Sequence, residues 1–266
     1  MSIEVKNVSF AYPNGYVANE ELNFTIAKGE RVAIVGQNGA GKTTAVKLLN
    51  GLHKPTTGDV LVDGINTKEK TVAQISKHVG YIFQNPDDQI FNNTVKAELK
   101  YSFKHSNLTD EEINSRVERA AGLTGIQKYL DMKPFDIPYS IRKFVTIAVF
   151  VALDTPYLIL DEPTAGQDIN GIQRLAELLN ILQEEGRSVI TITHDMEFVA
   201  DNFSRVIAMA NKRIIADDSA RNIFWNNDIV AESNISKPQI GELAEGIGSD
   251  KKILYRHELL EYLTQS

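Results

Sequence analysis

Apolar residues recur along this chain in two strand rhythms and one helical rhythm. From Ile3 to Phe10 they alternate with Glu4, Lys6 and Asn7, and Leu22-Asn23-Phe24-Thr25-Ile26 alternates too, which predicts half-buried strands and an antiparallel sheet at the N-terminus. Four other runs are short and almost continuously apolar, the pattern of strands covered on both faces: Arg31–Val35, Val79–Phe83, Tyr157–Leu160 and Ser188–Thr193. Asp59–Gly64 predicts a further strand ending in a turn, and Arg205–Met209 with Arg213–Ala216 a hairpin.

Helical spacing fills the intervals. Ala45–Leu49 continues as a helix after a glycine-rich stretch, and Asn92 to Leu130 has helical texture. There Thr109-Asp110-Glu111-Glu112 matches a capping box ahead of Ile113, Val117 and Ala120. Pro134 and Pro138 interrupt this inserted helical segment, and a second helix is predicted from about Ser140 to Leu153. Ile172, Leu175, Leu178, Leu179 and Leu182 mark a crossover helix between two of the buried strands. Past the hairpin, Asn226, Asn227, Asn234, Ser236 and Pro238 mark a boundary. The tail carries Leu254, Glu258, Leu259, Leu260, Tyr262 and Leu263, an amphipathic helix that could pack on its own domain or on a partner. The expected organisation is an α/β domain over residues 1–225, with a helical subdomain at about 92–155, and a helical extension over 226–266.

The candidate chemistry lies where the buried strands end. Gly36-Gln37-Asn38-Gly39-Ala40-Gly41-Lys42-Thr43-Thr44 fits the phosphate-loop pattern between a strand and a helix, the context the pattern requires. Its glycines let backbone N–H groups turn inward at a helix N-terminus, where anions are favoured. Lys42 would reach the outer phosphates of a polyphosphate, and the Thr43 hydroxyl would complete a magnesium site. The candidate nucleotide-binding set is therefore Gly36, Asn38, Gly39, Ala40, Gly41, Lys42, Thr43 and Thr44. Gln84, the pair Asp161-Glu162, and His194 follow other buried strands, and ligands of open parallel sheets bind at that edge. Asp161 would hold magnesium with Thr43 and Gln84. Glu162 would orient or deprotonate an attacking water, and His194 would contact the γ-phosphate. Alternatively, His194 caps the helix that Asp195-Met196-Glu197 begins and Gln84 satisfies a strand end. Tyr12, before Pro13-Asn14-Gly15, could stack on adenine or simply occupy a surface turn.

Composition narrows the alternatives. With 28 Lys and Arg against 35 Asp and Glu, the formal charge of −7 argues against an extended nucleic-acid footprint. The absence of cysteine excludes disulfides, thiolate catalysis and cysteine zinc sites. Met1–Lys6 has no charged-then-apolar leader and no apolar run approaches about 20 residues, so a membrane role is expected to come through a partner.

The phosphate loop, Gln84, Leu158-Ile159-Leu160-Asp161-Glu162-Pro163-Thr164-Ala165-Gly166 and Thr193-His194-Asp195 resemble the Walker A, Q-loop, Walker B, D-loop and H-loop of an ATP-binding cassette (ABC) ATPase over about the first 220 residues. Phe83-Gln84-Asn85-Pro86-Asp87-Asp88-Gln89-Ile90-Phe91 is similar to the Q-loop of energy-coupling factor (ECF) transporter ATPases, the cobalt and vitamin importer branch, and the tail from Ile235 looks like that branch's C-terminal extension. The resemblance implies a P-loop NTPase fold with an ABC nucleotide-binding core, an antiparallel β subdomain, a helical subdomain and a helical extension. It implies ATP and Mg2+ as ligands and a head-to-tail dimer with a second ABC ATPase. It also implies a transmembrane coupling protein with a substrate-binding membrane subunit, a peripheral place on the cytoplasmic membrane face, and no nucleic-acid partner.

Two departures stand against that pattern. Ungapped extension from Asp161 puts Ile137-Pro138-Tyr139-Ser140-Ile141 where the resemblance implies Leu-Ser-Gly-Gly-Gln, the signature that grips the partner's ATP. Pro138 offers no hydroxyl or N–H, and Tyr139 and Ser140 bring side chains where glycine lets backbone approach phosphate. A shifted register would instead leave Arg142 and Lys143 as phosphate contacts. In the D-loop, Gln167 replaces the usual leucine while Asp168 is kept. The expectation is an ATPase subunit that energises an importer as half of an asymmetric heterodimer, its partner carrying an intact signature, with Asp87 and Asp88 pairing to the membrane partner. The alternatives are a regulatory nucleotide-binding subunit with little hydrolysis of its own, and a small-molecule kinase, which would not need Asp161-Glu162-Pro163-Thr164.

Overall fold

The computed structural model describes residues 1–104 and 106–265. The chain opens with β1 (Ser2–Ala11), β2 (Val17–Ala27) and β3 (Arg31–Val35), then α1 (Lys42–Leu49), β4 (Thr57–Val62), β5 (Ile65–Asn66), α2 (Val72–Ile75) and β6 (Val79–Ile82). The inserted segment carries α3 (Val95–Tyr101), α4 (Asp110–Thr124) and α5 (Tyr139–Ala152). There follow β7 (Tyr157–Asp161), α6 (Ile169–Glu184), β8 (Ser188–Ile192), α7 (Met196–Asn202), β9 (Arg205–Ala210) and β10 (Arg213–Ser219). The C-terminal part holds α8 (Ala220–Phe224), α9 (Asn227–Ser233), α10 (Gln239–Gly246) and α11 (Arg256–Gln265).

The two strand rhythms become two sheets. The alternating strands form an antiparallel sheet in the order β2-β1-β4-β5, with Ile3 opposite Ile26 and Val62. The apolar runs form a sheet in the order β10-β9-β3-β8-β7-β6, parallel from β9 to β6, with β10 closing its edge as the expected hairpin. Successive residues of these parallel strands serve opposite cores. Val32, Ile34 and Ile159 pack with α1 and the antiparallel sheet, while Ala33, Val35, Leu158 and Leu160 pack with the inserted helices and α6. Burying one such side chain contributes roughly 1.5–3 kcal/mol, so covering on both faces outweighs the alternation expected of exposed strands.

The helices follow local rules. Thr109 and Glu112 close the expected capping box on α4, and Gly125 ends that helix in a left-handed conformation. α5 starts at Tyr139 rather than Ser140 and ends at Ala152, one residue early. The C-terminal part is continuous with the larger core: Ile223, Phe224 and Leu254 are buried in it, and Ile229, Ile235 and Tyr255 pack against it. Leu254 precedes α11 rather than lying on it. The outer face of α11 exposes Leu260 and Leu263. No helix among the described residues is long and apolar enough to cross a membrane.

Candidate active site

β6, β7, β8 and β3 lie side by side, so their C-terminal ends open onto one cleft of about 460 Å3. It is lined by Tyr12, Asn38, Gly39, Gly41, Lys42, Thr43, Thr44, Gln84, Asp161, Glu162 and His194, and by Tyr16, Ala18, Ala165 and Ile192, which the sequence did not single out. Gly36 and Ala40 are buried rather than part of this lining. Gly36 has φ +142°, and an added Cβ would stand 2.1 Å from the Met209 carbonyl oxygen, so this glycine lets the loop pass β9. Gly41 (φ +99°) begins α1 without a side-chain cap, and the first turn of that helix, Lys42, Thr43 and Thr44, lines the cleft.

Charge within the cleft is already arranged. The Lys42 ammonium donates to the carbonyls of Gly36 at 2.6 Å and Gln37 at 2.9 Å, folded back on its own loop. Burial lowers its pKa, opposed by the carboxylates of Glu162 and Asp161. Asp161 is raised by burial, opposed by a 2.6 Å hydrogen bond from the Tyr81 hydroxyl to its Oδ2. Tyr81 is itself raised by that burial and by the neighbouring carboxylate. No sequence signal beyond its place in an apolar strand pointed to Tyr81. Oδ1 of Asp161 makes no hydrogen bond among the described residues, so one carboxylate oxygen is oriented and the other is available.

Glu162 sits just past β7 with φ +48°, unusual for a residue with a side chain. Its N–H donates to Ile192 O at 2.8 Å, and its Oε2 accepts the His194 N–H at 3.2 Å. Its other carboxylate oxygen lies 3.4 Å from His194 Nε2. The helix-capping alternative for His194 fails because Asp195 takes that role, accepting the Phe198 N–H at 2.9 Å. The strand-end alternative for Gln84 fails likewise. Gln89 bonds to Phe83 N and Tyr81 O, whereas the Gln84 side chain makes no hydrogen bond among the described residues. Tyr12 stands at the cleft rim with its hydroxyl 3.0 Å from Thr44 Oγ1 and its ring beside Tyr16.

A model of the ABC transporter family matches residues 19–165. The energy-coupling factor transporter ATP-binding protein EcfA of Methanocaldococcus jannaschii is 34% identical over 245 residues, covering 91% of this chain and 88% of that protein. The chain belongs to the ABC transporter family. Within it, this is an ABC ATPase of the ECF branch. The solved structure of cbiO1 from Clostridium perfringens, described as part of the ABC transporter complex cbiONQ, superposes with a TM-score of 0.79 at 31% identity, covering 91% of this chain and 98% of that one. A dimeric ATP-binding cassette in a post-hydrolysis state with ADP and Pi superposes at 0.73 and 26% identity, covering 82% of this chain and 98% of that one. The ABC ATPase fold expected from the motifs is the fold observed.

This ABC ATPase departs from the expected pattern at the start of α5. Pro138 is its N-cap and supplies no side-chain bond, only a carbonyl that accepts from Ile141 and Arg142. The Tyr139 ring lies against Gly166, where an added Cβ would stand 3.2 Å from it. Gln167 Nε2 donates to Ser140 O at 3.0 Å, so the two departures touch each other. The shifted-register alternative is not supported, because neither cation is free to meet a phosphate. Arg142 grips both carboxylate oxygens of Asp87 at 2.7 and 2.8 Å, and Lys143 is buried against Glu162 O and Ala165 O. The same pair corrects the expectation for Asp87, whose basic partner is internal; Asp88 is exposed.

Proposed function

We propose that this chain binds and hydrolyses ATP to energise an ECF-type membrane importer of a vitamin, metal ion or similar micronutrient, as one half of an asymmetric ATPase dimer. The observation that carries the reading is the contrast on one molecule. Lys42, Thr43, Gln84, Asp161, Glu162 and His194 share one cleft, while the start of α5 offers Pro138 and Tyr139 outward. ATP would lie with its phosphates on the N–H groups of residues 38–44 and on Lys42, and with its base at Tyr12. Glu162 would take the proton of the attacking water while His194 holds the water and the γ-phosphate in place. Thr43, Asp161 and Gln84 offer the hard oxygen donors that suit Mg2+, which when bound would neutralise phosphate charge.

The partner ATPase would supply an intact signature to this cleft, and its own ATP, facing Tyr139, would turn over slowly. The exposed Phe91 and Tyr101, packed edge to face near the Gln84–Asp88 segment, give a transmembrane coupling protein an apolar surface to dock on. A substrate-binding membrane subunit would select the cargo, the domain over residues 1–225 would do the chemistry, and the extension over 226–266 would stay packed on it at the cytoplasmic membrane face.

The test is ATP turnover of the purified chain against its own concentration, with Lys42→Ala as the blank. Binding of ATP with turnover near the blank at every concentration is expected, and turnover that rises with concentration would overturn the asymmetric reading. Replacing residues 137–141 with Leu-Ser-Gly-Gly-Gln should then raise turnover of the paired complex by activating its second site.

A further inference from the structure

Lys143 is a buried charge that the cleft chemistry leaves unexplained. It stands one turn into α5, is 1% exposed, and donates from its ammonium to Glu162 O at 2.5 Å and Ala165 O at 3.2 Å. Burial lowers its pKa, opposed by the carboxylates of Glu162 and Asp161. Taking an ammonium out of water is unfavourable, and its hydrogen-bond partners are backbone carbonyls rather than carboxylates. A methionine would fill the same space without that cost, so the donors themselves need a reason.

The reason lies in the turn they hold. Glu162 occupies the left-handed region at φ +48°, a conformation that persists only when its surroundings hold it there. Its N–H is fixed by Ile192 O and its carboxylate meets the backbone and ring of His194. Its carbonyl accepts from the Lys143 ammonium at 2.5 Å and, more weakly, from the Ala165 N–H at 3.3 Å. With the N–H and the carbonyl both anchored, Glu162 cannot relax to an ordinary backbone conformation without breaking one of these bonds.

We propose that Lys143 is the positioning residue for Glu162, tethering the Glu162 and Ala165 carbonyls so that the Glu162 carboxylate stays aimed into the nucleotide cleft. This rests on the reading of Glu162 as the residue that activates water. It also gives α5 a second role. The first turn of α5 touches Gly166 through Tyr139 and Gln167 through Ser140, so a shift of that turn against a partner would reach Glu162 through the Lys143 tether.

The experiment uses the transporter complex purified through a tag on this chain, with Lys143→Met (no donors), Lys143→Gln (donors without charge) and Lys143→Arg (donors with charge). Thermal unfolding and trinitrophenyl-ATP binding accompany ATP titrations of turnover. Lys143→Met is expected to lower kcat about tenfold or more, with KM within about threefold, and Lys143→Gln or Lys143→Arg to recover most of that loss. Unchanged kcat in all three variants would overturn the proposal, as would equal loss in all three, which would assign Lys143 to packing. If Lys143→Met does not fold, Lys143→Leu, equally donor-free, takes its place in the comparison. Glu162→Gln in parallel separates the two readings. Retained turnover there overturns the role of Glu162 itself, whereas lost turnover there with normal Lys143 variants overturns only the tether.

Discussion

The nucleotide cleft and the outward start of α5 are both made of a helix N-terminus without a side-chain cap beside polar side chains, and they differ in which side chains are already engaged. In the cleft, Lys42 is folded back on the Gly36 and Gln37 carbonyls, but Gln84 makes no hydrogen bond among the described residues and Asp161 keeps one oxygen free. At α5, the Pro138 nitrogen carries no hydrogen, Ser140 O is taken by Gln167, Arg142 by Asp87 and Lys143 by the turn beneath it. The first surface keeps side-chain hydrogen-bonding capacity at Gln84 and at one oxygen of Asp161. The second has engaged its cationic side chains internally, which is the cheaper arrangement for a stable protein and a poor one for gripping phosphate.

The sharpest way to break this contrast is at Lys42. Lys42→Ala should cut ATP turnover of the assembled complex about 100–1,000-fold, measured as phosphate release, because a charge aimed at the developing phosphate negativity is lost. Turnover that survives would mean that the cleft is not the site.

Asp161→Asn comes next, with opposite effects on activity and stability. Turnover should fall about 100-fold as a cation ligand goes. Stability at pH 7 should rise, because burial raises the Asp161 pKa in the folded protein and its charged form is therefore the unfavourable one. The sign dictates the pH window. The gain should be full above the folded pKa and vanish as pH falls below about 4, where the carboxyl is protonated in both folded and unfolded chains. Melting curves of both proteins from pH 3 to 8 would show it, and a variant less stable at pH 7 would refute it.

Two smaller effects sharpen the other side. Arg142→Ala should cost about 1 kcal/mol and lower the melting temperature by about 2–4 °C, since it breaks a partly exposed ion pair, one Arg142 nitrogen meeting both Asp87 oxygens, that ties the Gln84–Asp88 segment to α5. ATP affinity should not change. Glu258 supplies the least. Burial opposes its ionisation, but hydrogen bonds from Arg221 and from the N–H groups of Leu254 and Tyr255 hold it at about 2. Its stabilisation is present above the ordinary carboxylate range and is lost as pH falls toward that value. Screening by solvent limits Glu258→Gln to less than about 1 kcal/mol, visible as a small loss of melting temperature at pH 7 that shrinks as pH falls from 4.5 to about 2.

Much of the cleft was legible because its residues sit at positions that local pattern defines. A buried strand must end, and Gly36, Gln84, Asp161 and His194 stand at or just beyond such ends. Once the strands are adjacent and parallel, the convergence follows. Tyr81, Tyr16 and Lys143 were not legible in these roles, because a tyrosine in an apolar strand or a lysine on a helix carries no mark of what it will face. Asp87 was misjudged for the same reason, its arginine lying 55 residues further along the chain.

Pattern and spacing by themselves determined the strands other than the two-residue β5, the phosphate loop, the crossover and the capped helix α4, because hydrophobic periodicity, glycine and capping chemistry act within a few residues. Tertiary structure alone decided that Tyr81 orients Asp161, that Gln167 meets Ser140, and that Lys143 holds the backbone of Glu162. Those contacts join elements far apart in the chain, and a buried polar group takes whichever complementary partner the folded packing delivers.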